Sequence, residues 1–216
     1  MPRRPRSASA AGFFHVVNRS VRKIPLFQSP RDYRAFLLVL NEGLERYPVR
    51  LISYCVLSTH WHLVVGPVGP ERLSRLIQWV SATHAQRWHR RRNSVGEGPV
   101  YQGRFKSFPV DASAHLLRVC RYVERNALTA GLVRKAQDWP WCSLCERSAL
   151  RHEVPLVTTP FLTSDVWTDF VNAGQPGDPD EWSSVPFEAE TVEKGSDPLR
   201  DVAEEPGVVA GGTQTA

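Results

Sequence analysis

The chain has 216 residues, with 27 lysines and arginines against 22 aspartates and glutamates, a formal net charge of +5. This length suits one domain of about 150 residues with appendages, and it can bury a hydrophobic core. No apolar run approaches the roughly 20 residues of a transmembrane helix, and no apolar segment follows the basic start. We therefore expect no membrane span, no signal peptide and a cytoplasmic location.

Charge is divided unevenly along the chain. Residues 174–216 contain ten acidic residues and two basic ones, and subtracting these from the totals of 22 and 27 leaves a net charge of +13 in residues 1–173. A body with this excess attracts phosphate backbones. The acidic segment is rich in proline and glycine and poor in apolar residues, so we expect a disordered tail that solubilises the protein or shields its basic body.

The first half of the chain predicts a strand, a helix and two further strands. Residues 12–17 are rich in β-forming residues. A helix begins at Ser29-Pro30, because serine caps helices and proline suits the first helical position, and it ends before Pro48. Residues 49–57 and 60–66 then predict two strands, joined as a hairpin or as one bent ribbon.

The second half predicts a helix, a strand and another helix. Apolar residues at helical spacing favour a second helix from about Pro70 to Arg91, followed by a strand within 100–110 and a third helix at 112–127. The order β-α-β-β-α-β-α is typical of an α+β, ferredoxin-like or RRM-like core with an antiparallel sheet and one additional helix. In that layout two helices cover one face of the sheet and leave the other open for a site.

The triplet His60-Trp61-His62 lies in the third predicted strand. Side chains of a strand alternate between faces, so both histidines share one face and Trp61 points to the other. Two imidazoles so placed can bind one divalent metal ion. They can also share a face without any ligand, and the triplet alone leaves both interpretations open.

Tyr122 and Asn126 lie four residues apart in the third predicted helix, so they share one face. Each has an ordinary explanation, since tyrosine often packs on a helix and asparagine often caps one. Together with the histidine pair they indicate a site in which Asn126 adds an amide oxygen to the two imidazoles and Tyr122 stands beside the metal.

The four cysteines indicate thiols. Cys142 and Cys145 have the spacing of half a zinc site, but the sequence contains no matching second half. With Cys55 and Cys120 they are expected to stay reduced in the cytoplasm.

Five blocks occur in a characteristic order between residue 12 and about residue 148. They are Phe14-His-Val-Val-Asn-Arg19, Leu57-Ser-Thr-His-Trp-His-Leu63, Tyr101-Gln-Gly-Arg-Phe-Lys-Ser107, Arg121-Tyr-Val-Glu-Arg-Asn-Ala-Leu-Thr-Ala-Gly-Leu-Val133 and Asp138-Trp-Pro-Trp-Cys-Ser143. In these blocks the chain resembles the HUH single-tyrosine transposases, an IS200-like group, and specifically their REP-associated tyrosine transposase branch in bacterial chromosomes.

That resemblance implies a set of roles. His60 and His62 bind Mg²⁺ or Mn²⁺, Asn126 is the third ligand, and the catalytic residue Tyr122 attacks DNA to form a 5′-phosphotyrosine intermediate. The implied activity is that of a metal-dependent single-stranded DNA endonuclease and strand transferase, acting on REP-like hairpin DNA during DNA transposition and recombination. The implied assembly is a monomer or a homodimer.

The resemblance is imperfect around these residues. Ser58-Thr59 stands where Pro-Asn is common, Trp61 is bulkier than the usual aliphatic residue, and Ala127 and Thr129 stand where proline and arginine are common. None of these departures removes a reacting group, although they bear on DNA affinity and specificity.

The resemblance and the charge pattern together predict four parts of the chain. These are a basic N-terminal arm (1–11), an HUH transposase-like catalytic domain (12–150), a C-terminal extension packing on that domain (151–173) and the acidic disordered tail (174–216).

Basic and polar side chains are predicted to contact the DNA backbone, which positions the DNA without specifying its sequence. They are Arg3, Arg4, Arg6, Arg19, Arg22, Lys23, Arg87, Arg91, Gln102, Arg104 and Lys106. Trp88, Tyr101 and Phe105 either stack on unpaired bases or pack in the core.

Three other functions stay open. The first is a domesticated hairpin-DNA-binding protein that no longer cuts. The second is a replication or mobilisation nuclease of the wider HUH group, many of which use two tyrosines on one helix, where this chain has only Tyr122. The third is an RRM-like RNA binder, although the sequence lacks the paired aromatic residues that such proteins use.

Overall fold

The computed structural model describes residues 12–111, 114–149 and 153–174. The elements of these ranges are β1 (Phe13–Arg19), α1 (Pro30–Arg46), β2 (Leu51–Leu57), β3 (His60–Val65), α2 (Pro70–Arg92), β4 (Lys106–Val110), α3 (Ala114–Thr129), α4 (Ser143–Ser148) and α5 (Asp165–Asn172), with short 3-10 turns at Val21–Lys23 and Ala136–Asp138. None of these helices combines the length and apolar character needed to cross a bilayer. The predicted basic arm, with Arg3, Arg4 and Arg6, and the predicted acidic tail from residue 175 onward lie outside the described residues.

The strands form one sheet in the order β2-β3-β1-β4, and every neighbouring pair is antiparallel. This is the split βαβ arrangement, so the predicted α+β class with its β-α-β-β-α-β core is confirmed. β4 is shorter than predicted, because Tyr101 makes a single bridge to Ser20 and the chain then turns at Gly103, whose φ is +67°.

One face of the sheet packs against α1 and α2. Trp61 is fully buried on this face, with its ring centroid 5.5 Å from that of Phe36 in α1. The start of α1 is fixed by Asp32, whose carboxylate accepts hydrogen bonds from the Ser29 hydroxyl at 2.8 Å and the Ser29 backbone N–H at 3.0 Å. Ser29 is therefore the N-cap residue of this helix, as predicted.

The other face is covered by α3, so the expectation of an open face is wrong. Ile52 and Val64 point to this face and are fully buried, as are Val119 and Val123 on the facing side of α3. Apolar side chains on both faces of β2 and β3 have to be shielded from water, which explains the cover. The covering helix is the one that carries Tyr122.

A buried carboxylate fixes α3 to its surroundings. Glu124 has no exposed surface and accepts hydrogen bonds from the Ser143 hydroxyl at 2.6 Å and the Trp167 indole N–H at 2.8 Å. It also forms an ion pair with Arg147, which donates to the Ile52 carbonyl at 3.1 Å. A buried charge is tolerated only with such partners, so this network connects α3 to β2, α4 and α5.

Candidate active site

His60 and His62 point from β3 toward α3. Across the sheet, His60 pairs with Arg19 and His62 with Val17 of β1, and the two imidazole centroids are 5.0 Å apart. Trp61 lies on the opposite face, as the alternation predicts. The backbone therefore places both rings at the same end of β3, beneath the helix that carries Tyr122.

Each imidazole is oriented by a hydrogen bond at its Nδ1 atom. The Thr59 hydroxyl lies 3.0 Å from His60 Nδ1, and the Nε2 atom of His15 lies 3.0 Å from His62 Nδ1. Metal-binding histidines characteristically have one ring nitrogen engaged in this way while the other faces the ion. Among the described residues, the buried Nε2 atom of His62 has no hydrogen-bond partner.

Burial keeps these imidazoles neutral at pH 7. It lowers the pKa of His62 well below 6.5, and the neighbouring His15, His60 and Arg19 lower it further. Burial, with a smaller effect of the Arg19 charge, lowers the pKa of His60 to about 4. Neutral imidazole has the free lone pair that a metal ion requires.

Tyr122 projects from α3 onto the histidines. Its ring centroid lies 5.7 Å from that of His62 and 5.8 Å from that of His15, with both contacts edge-on. Burial raises the pKa of Tyr122, whereas its side-chain hydrogen bond with Asn126 and the positive charge of Arg19 act in the opposite direction. The phenol, an amide, a guanidinium and two imidazoles thus belong to one electrostatic cluster.

These residues could hold a divalent metal ion. Within the described ranges, no group of three or more histidine, cysteine or acidic side chains is arranged to hold a metal ion. The available set is instead the two imidazoles with the Asn126 amide oxygen, which leaves further positions for oxygens of a substrate or water. The unpartnered nitrogen of His62 fits such an ion, because a buried polar atom otherwise needs a partner.

Some of the predicted DNA contacts lie beside this cluster. Lys106 pairs with Val17, so the alternation of the strands puts its exposed side chain on the same face as His62. Gln102 is exposed and donates its backbone N–H to the Arg19 carbonyl at 2.8 Å. Arg104 is exposed in the segment between Gln102 and β4, and Arg22 and Lys23 are exposed in the turn after β1.

Two other predicted contacts are part of the packing between α2 and α1. Arg87 donates both guanidinium nitrogens to Glu42, at 2.8 Å and 2.6 Å, and Arg91 lies 2.8 Å from Asp32. Both arginines are on α2, which packs on the face of the sheet away from His62. The structure therefore does not bring Arg87 and Arg91 together with the histidine pair.

The three predicted aromatic residues are largely packed. The Tyr101 hydroxyl lies 3.1 Å from the Trp61 indole nitrogen and 2.6 Å from His84 Nδ1 in the core. Trp88 donates its indole N–H to the Leu26 carbonyl at 3.1 Å and is half-buried, as is Phe105. Packing is thus the better interpretation for Tyr101.

Sequence reasoning missed three residues of the cluster. His15 and Thr59 hydrogen-bond the histidine pair, and Phe108 lies directly opposite His15 on β4 with 42% of its surface exposed. The alternation of the first strand puts His15 on the same face as Val17 and Arg19. The residues that lie beside His15 on that face belong to strands that pair with β1 from distant parts of the chain. No local signal in the sequence therefore identifies these residues.

Cys142 has a structural role. Its thiol is buried and accepts the Cys145 backbone N–H at 3.4 Å, where it caps the start of α4. The contact involves the backbone of Cys145 and not its thiol.

Two comparisons with known proteins bear on the family and the fold of the chain. Residues 10–126 match the family model of IS200-like transposases. A solved structure described as the REP-associated tyrosine transposase bound to a REP hairpin is similar in fold, with a TM-score of 0.50 and 17% sequence identity, covering 76% of this chain and 94% of that one. No curated protein sequence matches the chain.

Proposed function

This chain belongs to the family of IS200-like transposases, and we propose that it cuts and rejoins single-stranded DNA through a covalent bond to Tyr122. The observation that carries this proposal is the position of the Tyr122 ring, 5.7 Å from that of His62, whose Nε2 atom has no partner among the described residues. A nucleophile and a candidate metal ligand thus lie side by side.

His60, His62 and Asn126 would hold Mg²⁺ or Mn²⁺. When bound, the ion acts as a Lewis acid on a non-bridging oxygen of the scissile phosphate. The neutral imidazoles supply nitrogen ligands, and the Thr59 and His15 contacts keep their rings from rotating. The half-buried position beneath α3 limits competition by water for these groups.

Tyr122 is the proposed nucleophile. Its oxygen attacks phosphorus and the P–O3′ bond breaks, which leaves a 5′-phosphate ester on Tyr122, while the released 3′-hydroxyl takes up a proton to replace the one that the phenol loses. The phenol is a poor nucleophile when protonated, and burial raises its pKa further. Asn126 and Arg19 oppose that shift, so both favour the phenolate. The reverse attack by a 3′-hydroxyl rejoins the strand.

A single chain contains all of the proposed catalytic groups. Within one molecule, Tyr122 of α3 contacts His62 of β3, His60 lies next to His62, and Asn126 is hydrogen-bonded to Tyr122. We therefore propose an active site in cis, which functions in a monomer and does not require exchange of α3 in a homodimer.

We propose a hairpin-bearing single strand as the substrate. The similar solved structure holds a REP hairpin. In this chain the exposed side chains of Arg19 and Lys106 lie on the face of the histidine pair, and Gln102 and Arg104 are exposed in the segment before β4. We propose that these four residues supply phosphate contacts. Arg22 and Lys23 extend the same positive surface along the turn after β1.

A cleavage assay tests the proposal. A 3′-end-labelled oligonucleotide with a REP-like hairpin is incubated with the full chain, with and without Mn²⁺. We expect nicking that depends on the metal and on Tyr122, with label retained on the protein because Tyr122 carries the 3′ fragment. Cleavage by the Tyr122→Phe variant at the wild-type rate would exclude this mechanism. Tight binding of the hairpin by the wild type without any cleavage would favour the domesticated binding protein.

A further inference from the structure

His15 lies behind His62 as seen from the proposed metal position. Its Nε2 atom is 3.0 Å from His62 Nδ1, and the two ring planes are nearly parallel, at 10°. Both side chains are almost fully buried, with exposed fractions of 1% and 2%. Water therefore cannot substitute for either partner in this hydrogen bond.

Neighbouring aromatic side chains and strand pairing hold the His15 ring in place. Tyr122 meets it edge-on, with centroids 5.8 Å apart, and Phe108 packs against it at 5.9 Å. Its strand is paired on both sides, with His15 opposite Val64 of β3 and Phe108 of β4. The acceptor position that His15 offers to His62 is thus fixed by the fold.

A neutral imidazole donates from one nitrogen and accepts at the other, so the contact between His15 and His62 has two arrangements. If His62 donates from Nδ1, its Nε2 atom presents a lone pair toward the site. If His15 donates, the proton of His62 is on Nε2 and blocks metal binding there. Metal binding at His62 Nε2 requires the first arrangement, so the proposed function of the histidine pair selects it.

We propose that His15 is a positioning residue whose Nε2 atom accepts a hydrogen bond from the Nδ1–H group of His62 and so sets the tautomer in which His62 Nε2 can bind a metal ion. This rests on the proposed function of the histidine pair. In this role the Nε2 atom of His15 faces His62 and is not a ligand of the ion. The Thr59 hydroxyl likewise contacts Nδ1 of His60, so each histidine of the pair has a hydrogen-bond partner at Nδ1.

Two substitutions of His15 distinguish the effect of its hydrogen-bond acceptor from the effect of its aromatic ring. His15→Phe keeps an aromatic ring between Phe108 and Tyr122 but removes the acceptor. His15→Gln keeps an acceptor oxygen within reach of His62 Nδ1. Circular dichroism and thermal unfolding of both variants establish that they fold.

The first readout is the nitrogen-15 spectrum of the imidazole rings in the metal-free full chain, which reports the protonated nitrogen of His62 directly. We expect the proton on Nδ1 in the wild type and in His15→Gln, and partial transfer to Nε2 in His15→Phe. A wild-type spectrum with the proton on Nε2 overturns the proposal without any variant, even if His15→Phe does not fold.

The second readout is the affinity for Mn²⁺ alone. Loss of such a supporting contact weakens metal binding about 10- to 100-fold, which we expect for His15→Phe, with most of the affinity retained in His15→Gln. Unchanged Mn²⁺ affinity in a folded His15→Phe also overturns the proposal. Failure of the proposed function is recognised separately, because a wild type that does not cut DNA still reports its His62 tautomer.

Discussion

Tyr122 on α3 stands edge-on to His62 on β3, with ring planes at 84° and centroids 5.7 Å apart. This contact exists because α3 covers the face of the sheet toward which the histidines point. The same helix therefore buries this face of the sheet and positions the proposed nucleophile. Substitutions can affect the stability of the fold and the cleavage reaction separately.

Arg19 is expected to set the pH dependence of cleavage. Its positive charge lowers the pKa of Tyr122, so Arg19→Gln should raise that pKa. The single-turnover cleavage rate at saturating DNA should then reach half its maximum at a higher pH than in the wild type. Arg19→Lys preserves the charge and serves as the matched control. An unchanged pH profile in Arg19→Gln would show that this charge does not act on the nucleophile.

Loss of Glu124 should destabilise the protein strongly. Glu124→Ala leaves the guanidinium of Arg147 buried without its partner, and breaking such a pair costs about 3–5 kcal/mol. Urea unfolding measures the loss, and Glu45→Ala at an exposed position of α1 should change stability by less than about 0.5 kcal/mol. Similar unfolding midpoints for the two variants would mean that the buried network contributes little.

Asp32 should stabilise the fold in a pH-dependent way. Burial raises the pKa of its carboxyl, but hydrogen bonds from Ser29 and Gln28 and the charges of Arg92 and Arg91 outweigh this and lower it overall. A folded-state pKa below the unfolded value means that the stabilisation is complete above the unfolded pKa of about 3.9 and is lost as the pH falls through the folded one.

The corresponding substitution is Asp32→Asn. It should lower the free energy of unfolding by about 1–2 kcal/mol at pH 7 and by progressively less at pH values below about 4. Denaturant unfolding at several pH values measures this difference. Asp169→Asn, at an exposed position of α5, is the control. A stability difference that stays constant down to the lowest pH would contradict the assigned role of Asp32.

Lys106 and Arg87 should differ in DNA binding. Lys106 lies on the face of the histidine pair, whereas both guanidinium nitrogens of Arg87 are engaged by Glu42. Lys106→Gln should weaken hairpin binding and reduce the slope of log affinity against log salt by about 1. Arg87→Gln should leave the slope unchanged. The opposite result would place the DNA along α2.

The sequence predicts local features of this molecule well. Period-two alternation places His60 and His62 on one face, helical spacing places Tyr122 and Asn126 together, and Ser29 with Pro30 marks the start of α1. Each of these features depends on neighbours within one or two turns or strand repeats.

The features that the sequence does not predict depend on distant pairings. His15 meets His62 only through the register of β1 on β3. The cover of α3 over the sheet follows from burying apolar residues of several strands at once. The same applies to Arg87, because basic residues on a helix resemble a DNA-binding surface until Glu42 of another helix is placed beside them.

The most direct measurement for the account as a whole is the mapping of the covalent adduct. Wild-type protein is incubated with hairpin DNA and Mn²⁺, digested with a protease and a nuclease, and analysed by mass spectrometry. We expect a nucleotide attached through its 5′-phosphate to the peptide that contains Tyr122. A nucleotide attached to any other residue, or cleavage without an adduct, would contradict it.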